Sequence, residues 1–134
     1  MTKIMLIIFL FTFLSSGLYA QGFNPVIGTA YPFEFIEWTL NGEDQLPRMQ
    51  SLLRTCTITF NLNNTMVTFS NGMYNAAYTF LPDGNCEISM RALFTRRSFF
   101  GTGSVERTVK DFLLSMSMDI EGKEMITVIK GRIK

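Results

Sequence analysis

The stretch RTCTITFNLNNTMVTFS, residues 54–70, carries the clearest strand signal in the chain. Apolar residues alternate there with Thr and Asn: Cys56, Ile58, Phe60 and Leu62. A period of two with β-branched Thr between the apolar positions is typical of a strand with one buried face. The segment NLNNT is rich in turn-forming Asn, and MVTFS after it predicts the returning strand of a hairpin.

Three further regions predict strands. The first covers residues 34–40, after a lead-in whose prolines argue against a helix, and the NGEDQLPR that follows is predicted to be a loop. The second is the hairpin YTFLPDGNCEISM, residues 78–90, which turns at Pro82-Asp83-Gly84 because Pro fixes φ and Gly tolerates positive φ. The third is the closing hairpin SMDIEGKEMITV, residues 117–128, which turns at Gly122.

The pattern changes period between these hairpins. FTRRSFFGTGS, residues 94–104, is predicted to be a loop that ends in Ser104 as a helix N-cap. Apolar residues then recur at i, i+4, i+7, i+8 and i+11, which predicts one amphipathic helix over about residues 105–116: Val105, Val109, Phe112, Leu113 and Met116. The expected fold is mainly β (α+β), a small antiparallel β-barrel-like domain with this one helix near its C-terminus.

The first twenty residues predict a secretory signal peptide. Lys3 precedes an apolar run from Ile4 to Leu14, and small residues follow, with cleavage expected after Ala20. An N-terminal membrane anchor is the alternative, although the run is short for a bilayer span. Residues 21–134 would then form one domain that is secreted or extracytoplasmic, in the periplasm or at the cell surface if the source is bacterial, with no integral membrane span.

Two cysteines and one sequon are the residues open to covalent modification. In an oxidising compartment, Cys56 and Cys86 predict one disulfide between two strands. A nucleophilic thiol would need a nearby base, usually His, and the chain contains no His. Asn63-Asn64-Thr65 is a sequon, so Asn63 is a candidate N-glycosylation site in a eukaryotic host; an Asn-rich turn explains the same letters.

The charges point to no catalytic site. With Lys3 removed, 11 basic residues balance 11 acidic ones, which gives no overall electrostatic indication of binding to nucleic acid or anionic lipid. The carboxylates are scattered, and none of them forms a recognisable acid–base pair or a metal-ligand spacing. The sequence therefore predicts a protein that is not an enzyme and that has no cofactor and no metal site.

Several motifs together resemble the META domain family, which includes bacterial heat-shock-inducible HslJ-like proteins and small trypanosomatid proteins. The chain has the W-x-L start of many members in Trp38 and Leu40, and a Thr after a strand in Thr95. The pattern of an acidic residue, an aliphatic and Leu is met by Glu106, Val109 and Leu113. Tyr78 matches the Tyr in the middle of the family pattern, and MDIEGKEMITV matches its final hairpin. The chain departs from the family in the middle, where Asn71 replaces a Cys and Ala76 a Gly, and a second family Cys is missing near Ser98.

The resemblance implies a barrel-like domain with one helix and no established reaction, in proteins tied to stress response, secretion and virulence. It also implies likeness to a secretin pilot protein that holds a lipid in a cracked barrel. Within NGMYNAAYTF, residues 71–80, it favours a tight structural corner rather than a binding loop, with Tyr78 and Phe80 packed inward.

The sequence favours a non-catalytic domain that binds an unknown protein partner. The candidate interaction loop combines cations and aromatics, a composition common at interface hot spots: Arg96, Arg97, Phe99 and Phe100. The alternative for this loop is that the phenylalanines plug the barrel end. Two other functions stay open: a carrier of a lipid or other apolar ligand, suggested by the abundant Met and Phe, and a peptidase inhibitor that uses loop 94–103 as its wedge.

Overall fold

Antiparallel strands make up most of the structure, a computed structural model that describes residues 24–49, 55–70 and 73–134. In chain order the elements are β1 (Ala30–Leu40), β2 (Glu43–Asp44), α1 (Leu46–Met49), β3 (Thr55–Phe60), β4 (Thr65–Ser70), β5 (Tyr74–Phe80), β6 (Asn85–Ala92), β7 (Thr95–Arg107), β8 (Asp111–Ile120) and β9 (Lys123–Ile133).

The strands form a closed eight-stranded antiparallel barrel. From β3 to β9 each strand pairs with the next in sequence, and β1 pairs with both β3 and β9. The first residues of β1, Ala30–Pro32, face β3, and residues 33–40 face β9. The two-residue strand β2 pairs only with the end of β1. The prediction of a mainly β barrel is confirmed, and strands lie in each predicted strand region, although β3 ends at Phe60 and Leu62, predicted on its buried face, is exposed in the turn.

A β-bulge in β1 adapts its sequence to the barrel. Phe33 and Phe35 point inward with ordinary alternation, and the register shifts between Phe35 and Glu37, which leaves Ile36 exposed. Trp38 therefore also points inward, where it is buried. One extra residue in a strand has this effect because side chains alternate between the two faces. The bulge places three aromatic rings of one strand inside the barrel.

The core is a connected set of aromatic rings surrounded by aliphatic side chains. The ring of Phe33 meets Phe112 edge-on at 5.0 Å between centroids, and Phe35 stacks on Trp38 at 5.4 Å. Trp38 in turn contacts Phe69 at 5.6 Å. Such offset and edge-to-face pairs stabilise a core beyond the area they bury.

The predicted helix over residues 105–116 is wrong. Val105 ends the inward set of β7, and the chain then turns at Thr108–Lys110, where the Thr108 backbone N–H donates to the Asp111 carbonyl at 2.9 Å. In β8 the buried residues alternate instead, and Leu113 points outward between Phe112 and Leu114. The apolar positions of FLLSMSM fit both the helical period of 3.6 residues and the strand period of two. Hydrogen bonding to β7 and β9 makes the segment a strand.

Two predicted loops also contain regular structure. FTRRSFFGTGS is not a loop, because Thr95–Arg107 forms the longest strand, β7, and Ser104 lies inside it rather than at an N-cap. NGEDQLPR was expected to be irregular, yet after its turn it holds β2 and α1. The Asp44 carboxylate accepts a hydrogen bond from the Leu46 N–H at 3.0 Å, and Pro47 fits because a first-turn residue needs no backbone donor.

The predicted disulfide between Cys56 and Cys86 is wrong, since both thiols are free. The ladder aligns Cys56 with Phe69, Phe69 with Ala76, and Ala76 with Met90. Cys86 lies four positions from Met90 on β6, an offset of about 13 Å along the strand. Disulfides need Cα atoms within about 7 Å. Cys56 and Cys86 both point into the barrel, but they lie too far apart along the strands to form one.

Some sequence predictions fall partly on residues outside the description. The predicted signal peptide, residues 1–20, lies entirely outside the described residues, and so do Asn71 and Gly72. In the rest of NGMYNAAYTF the predicted tight corner is wrong, because Tyr74–Phe80 is the continuous strand β5, whereas Tyr78 and Phe80 are buried as predicted.

Candidate functional site: an apolar cavity inside the barrel

A cavity of about 260 Å³ lies inside the barrel, between the inward faces of β1, β4, β5 and β6. Its lining is mostly apolar: Trp38, Met49, Phe69, Tyr74, Asn75, Ala76, Tyr78, Ile88, Met90 and Arg91. Eight-stranded barrels have an interior that side chains fill completely or that leaves room for one small ligand. In this barrel, side chains leave such a space on the side formed by β4, β5 and β6.

The strand register brings the lining together. Tyr78 lies opposite Ile88, and Ala76 lies opposite both Phe69 and Met90 in the neighbouring strands. All of these residues have the inward parity of their strands. The small side chain of Ala76 leaves a space between larger neighbours, which is how a wall of alternating residues can contain a hollow.

Aromatic rings form one boundary of the cavity. The Trp38 and Phe69 rings lie at 61° to each other, and the Phe69 and Tyr78 centroids are 6.0 Å apart. These three side chains are buried. The boundary is therefore a mostly apolar surface whose polar groups are the Trp38 indole N–H and the Tyr78 hydroxyl, and burial raises the pKa of that hydroxyl far above its ordinary value.

The polar lining residues lie at the mouth. Asn75 and Arg91 pair across β5 and β6 and are exposed, as is Tyr74. Met49 of α1 approaches from the other side, and the Gln45 N–H donates to the Trp38 carbonyl at 2.8 Å, which holds the segment before α1 against β1. An apolar interior with a cation at its mouth suits a ligand with an apolar body and an anionic end.

The two thiols are poor nucleophiles. Burial raises the pKa of Cys56 to about 11, although the positive charge of Lys134 opposes the shift. Burial and the nearby Glu87 carboxylate together raise the pKa of Cys86 to about 12. Because the thiolate is the reactive form, both side chains behave as small apolar core residues at neutral pH.

The structure separates the four residues of the predicted interaction loop. They lie on β7, where Arg96, Arg97 and Phe100 are exposed, while Phe99 is half-buried and packs against the core. Arg96 lies directly opposite Arg91, and Arg97 opposite Met90. None of the four lines the cavity.

The remaining candidate, Asn63, is exposed in the β3–β4 turn. The turn itself is closed by the Asn61 side-chain amide, which donates to the Asn64 side-chain carbonyl at 2.7 Å.

Sequence reasoning left a carrier of an apolar ligand open but did not identify the residues that line the cavity. Its lining comes from five elements, and only the cross-strand register reveals that Ala76 faces Phe69 and Met90. One signal was available: Ala76 is the only small residue in an inward series that otherwise reads Tyr74, Tyr78 and Phe80. A small residue at such a position indicates either close packing or a space.

The described residues contain no group of three or more His, Cys, Asp or Glu side chains placed to hold a metal ion. No helix in the described part of the chain has the length and apolarity to cross a membrane.

Comparisons with protein-family models, curated proteins and solved structures found no match to this chain. The resemblance to the META domain family therefore stays a prediction, and the barrel and its cavity are the basis for a functional proposal.

Proposed function

We propose that the protein binds a small ligand with an apolar body and an anionic end, and that it acts as a carrier rather than as an enzyme. The observation that supports this proposal is the mostly apolar cavity between Trp38, Phe69, Tyr78 and Ile88 in the barrel, which opens to solvent beside the exposed Asn75 and Arg91. Well-packed interiors of this size seldom leave such a space.

The volume limits the ligand. About 260 Å³ is slightly below the usual range of ligand pockets, which begins near ~300 Å³. A short or medium acyl chain or a single aromatic ring fits this space, and a two-chain phospholipid does not. Arg91 at the mouth favours a carboxylate or another anion at the end that stays in water.

Binding through a protein partner is the function that the sequence favoured, and the cavity is a stronger argument than the four residues named for that role. Phe99 packs against the core, so its side chain supports the barrel. Phe100, Arg96 and Arg97 remain on the surface. The roles in stress response, host interaction and peptidase inhibition carry no structural argument and stay predictions from the sequence.

Trp38 supplies the test, because it is the one Trp in the chain and lines the cavity. Saturated fatty acids of about six to twelve carbons are titrated into the purified protein while Trp38 fluorescence is recorded. We expect a saturable change in emission, with the carboxylates binding more tightly than the alcohols of the same length. Native mass spectrometry of the same samples gives the stoichiometry, expected to be one.

Two adjacent alanines provide a matched pair of variants. Ala76→Leu fills the cavity and should abolish the saturable change, whereas Ala77→Leu places the same side chain on the outer face of β5 and should leave it intact. Equal binding by both variants, or no response of Trp38 to any chain length, would contradict a ligand in this cavity.

A further inference from the structure

The turn between β6 and β7 has an unusual composition for a two-residue hairpin turn. Leu93 and Phe94 occupy it, Leu93 with φ of 49° and 64% of its surface exposed, and Phe94 fully exposed. Such turns favour Asn and Gly, which adopt positive φ with little strain. The other two-residue turns between paired strands follow this preference, with Gly at the second position: Asn41-Gly42 and Glu121-Gly122.

The hairpin projects beyond its neighbour. The pairing of β7 with β8 begins at Gly101, whereas Thr95–Phe100 pair only with β6 in the described structure. On the other side, the Leu93 N–H donates to the Met73 carbonyl at 3.3 Å, and Met73 is itself exposed. Leu93, Phe94 and Met73 therefore form an exposed apolar tip, and the hairpin that carries it extends beyond the end of β8.

Positive charge surrounds this tip although the chain is almost neutral. Arg91 and Arg96 face each other directly across the hairpin, and Arg97 lies on the opposite face of β7, across from Met90. Like charges at directly opposite positions cost stability, so their placement needs another reason. The carboxylates of β6 and β7, Glu87 and Glu106, lie away from the turn. Overall neutrality thus conceals a local cationic cluster.

We propose that the β6–β7 hairpin tip docks the protein on an anionic lipid bilayer. Leu93 and Phe94 would enter the boundary between head groups and acyl chains, and Arg96 and Arg97 would contact the negatively charged head groups. Apolar and aromatic side chains bind at this boundary, and basic residues next to them add electrostatic attraction to anionic lipids.

A bilayer suits this surface better than a protein or a nucleic acid. A stable protein interface takes about 800 Å² from each partner, which a tip of three residues does not offer. A nucleic acid stacks successive bases on aromatic rings, and Phe94 is the one ring in the tip, since Leu93 and Met73 are not aromatic. The proposal does not rest on the cavity, because neither Leu93 nor Phe94 lines it.

Vesicle sedimentation tests the proposal with purified residues 21–134, the domain that the sequence predicts. Vesicles of phosphatidylcholine alone are compared with vesicles that contain one quarter phosphatidylglycerol. We expect clear binding to the anionic vesicles, weak binding to the neutral ones, and loss of most of the difference in 0.5 M NaCl because the salt screens the arginines.

Paired variants separate insertion from charge. Leu93→Ser with Phe94→Ser should lower the partition coefficient by about tenfold or more, since apolar area no longer leaves water. Arg96→Gln with Arg97→Gln should lower the partition coefficient by about thirtyfold, because each arginine near an anionic surface contributes about 1 kcal/mol of binding free energy. Leu62→Ser, an exposed residue in the β3–β4 turn (83% exposed), and Lys110→Gln with Lys130→Gln are the controls, and they should bind like the parent.

Each alternative has a distinct result. Equal losses in the control and tip variants, or no binding of the parent to anionic vesicles, overturn the proposal. Loss with the arginine variants alone, and none with Leu93→Ser and Phe94→Ser, would show a surface anion site without insertion and would also overturn it. Repeating the assay with Ala76→Leu should give unchanged vesicle binding, which keeps this result separate from the outcome for the cavity.

Discussion

Two sides of the barrel are built from the same kinds of residue and differ in how they fill space. The packed side consists of the inward residues of β8 and β9: Phe112, Leu114, Met116, Ile129, Gly131 and Ile133. The cavity side consists of inward residues of β4, β5 and β6: Phe69, Ala76, Tyr78, Ile88 and Met90.

One small residue on each side explains the difference. On the packed side, the Phe112 ring lies directly on the backbone of Gly131, so that a Cβ atom there would overlap its ring carbons. On the cavity side, the place beside Ala76 is left open. A small residue therefore serves tight packing where a neighbouring ring covers it, and it makes a space where none does.

The largest effect is expected from removing one aromatic ring on each side. Phe112→Ala should lower the free energy of unfolding by about 4–5 kcal/mol, because Phe112 is 1% exposed and closely surrounded. Phe69→Ala should cost less, about 3 kcal/mol, since Phe69 already borders empty space. Urea unfolding followed by circular dichroism measures both losses. An equal or reversed order would show that the cavity side is packed as tightly as the other.

Adding atoms should separate the two sides as well. Gly131→Ala is expected to destabilise the fold by about 1–3 kcal/mol, since the new methyl group must displace the Phe112 ring or the strand. Ala76→Leu has room for its side chain in the cavity and should change stability by less than about 1 kcal/mol. Thermal unfolding of the two variants gives the comparison. A large loss for Ala76→Leu would mean that the space is too narrow for a ligand.

The sequence predicted the strands where alternation was unambiguous and failed where two periods coincide. The alternation in residues 54–70 is compatible with a strand only. In β8, by contrast, FLLSMSM fits a helix through Phe112, Leu113 and Met116 and equally a strand through Phe112, Leu114 and Met116. Local pattern cannot decide between them, because the decision comes from hydrogen bonding to β7 and β9. Most of the barrel could therefore be predicted from the sequence.

The sequence does not show which residues of neighbouring strands lie opposite each other. The cavity, the free thiols and the exposed tip all depend on this cross-strand register. The alternation pattern places both Cys56 and Cys86 on the inward faces of their strands, which favoured a disulfide. Their separation along the strands prevents that bond, and both thiols are free. Arg91 and Arg96 are five residues apart in sequence and become direct neighbours only through the hairpin.

The buried thiol protons of Cys56 and Cys86 and the buried phenol proton of Tyr78, all outside the packed side, should make the fold sensitive to alkali. The pKa values of Cys56 and Cys86 are raised by burial from 9.0 to about 11 and about 12, and that of Tyr78 is raised too. Above about pH 9 the unfolded chain releases protons that the folded chain keeps, so stability is full below that pH and falls as the pH rises toward 11 and 12.

The midpoint of thermal unfolding, measured from pH 7 to 11, should fall only in the upper part of this range. Cys86→Ala should reduce the slope. Iodoacetamide at pH 8 should label both thiols slowly in the folded protein and fully in urea without a reductant. Fast labelling of the folded protein, or the need for a reductant in urea, would contradict buried free thiols.

The smallest effect concerns the turn at Leu93, where stability and function should oppose each other. A bulky residue at positive φ is strained, and Asn adopts this conformation more readily, so Leu93→Asn should raise the free energy of unfolding by about 0.5 kcal/mol. Glu121→Asn, at φ of 53° in the corresponding turn of β8 and β9, is the matched control and should give a similar gain. Only Leu93→Asn should also weaken binding to anionic vesicles. A gain in stability with full vesicle binding would mean that the strained Leu serves no purpose at the membrane, and that Phe94 and the arginines act without it.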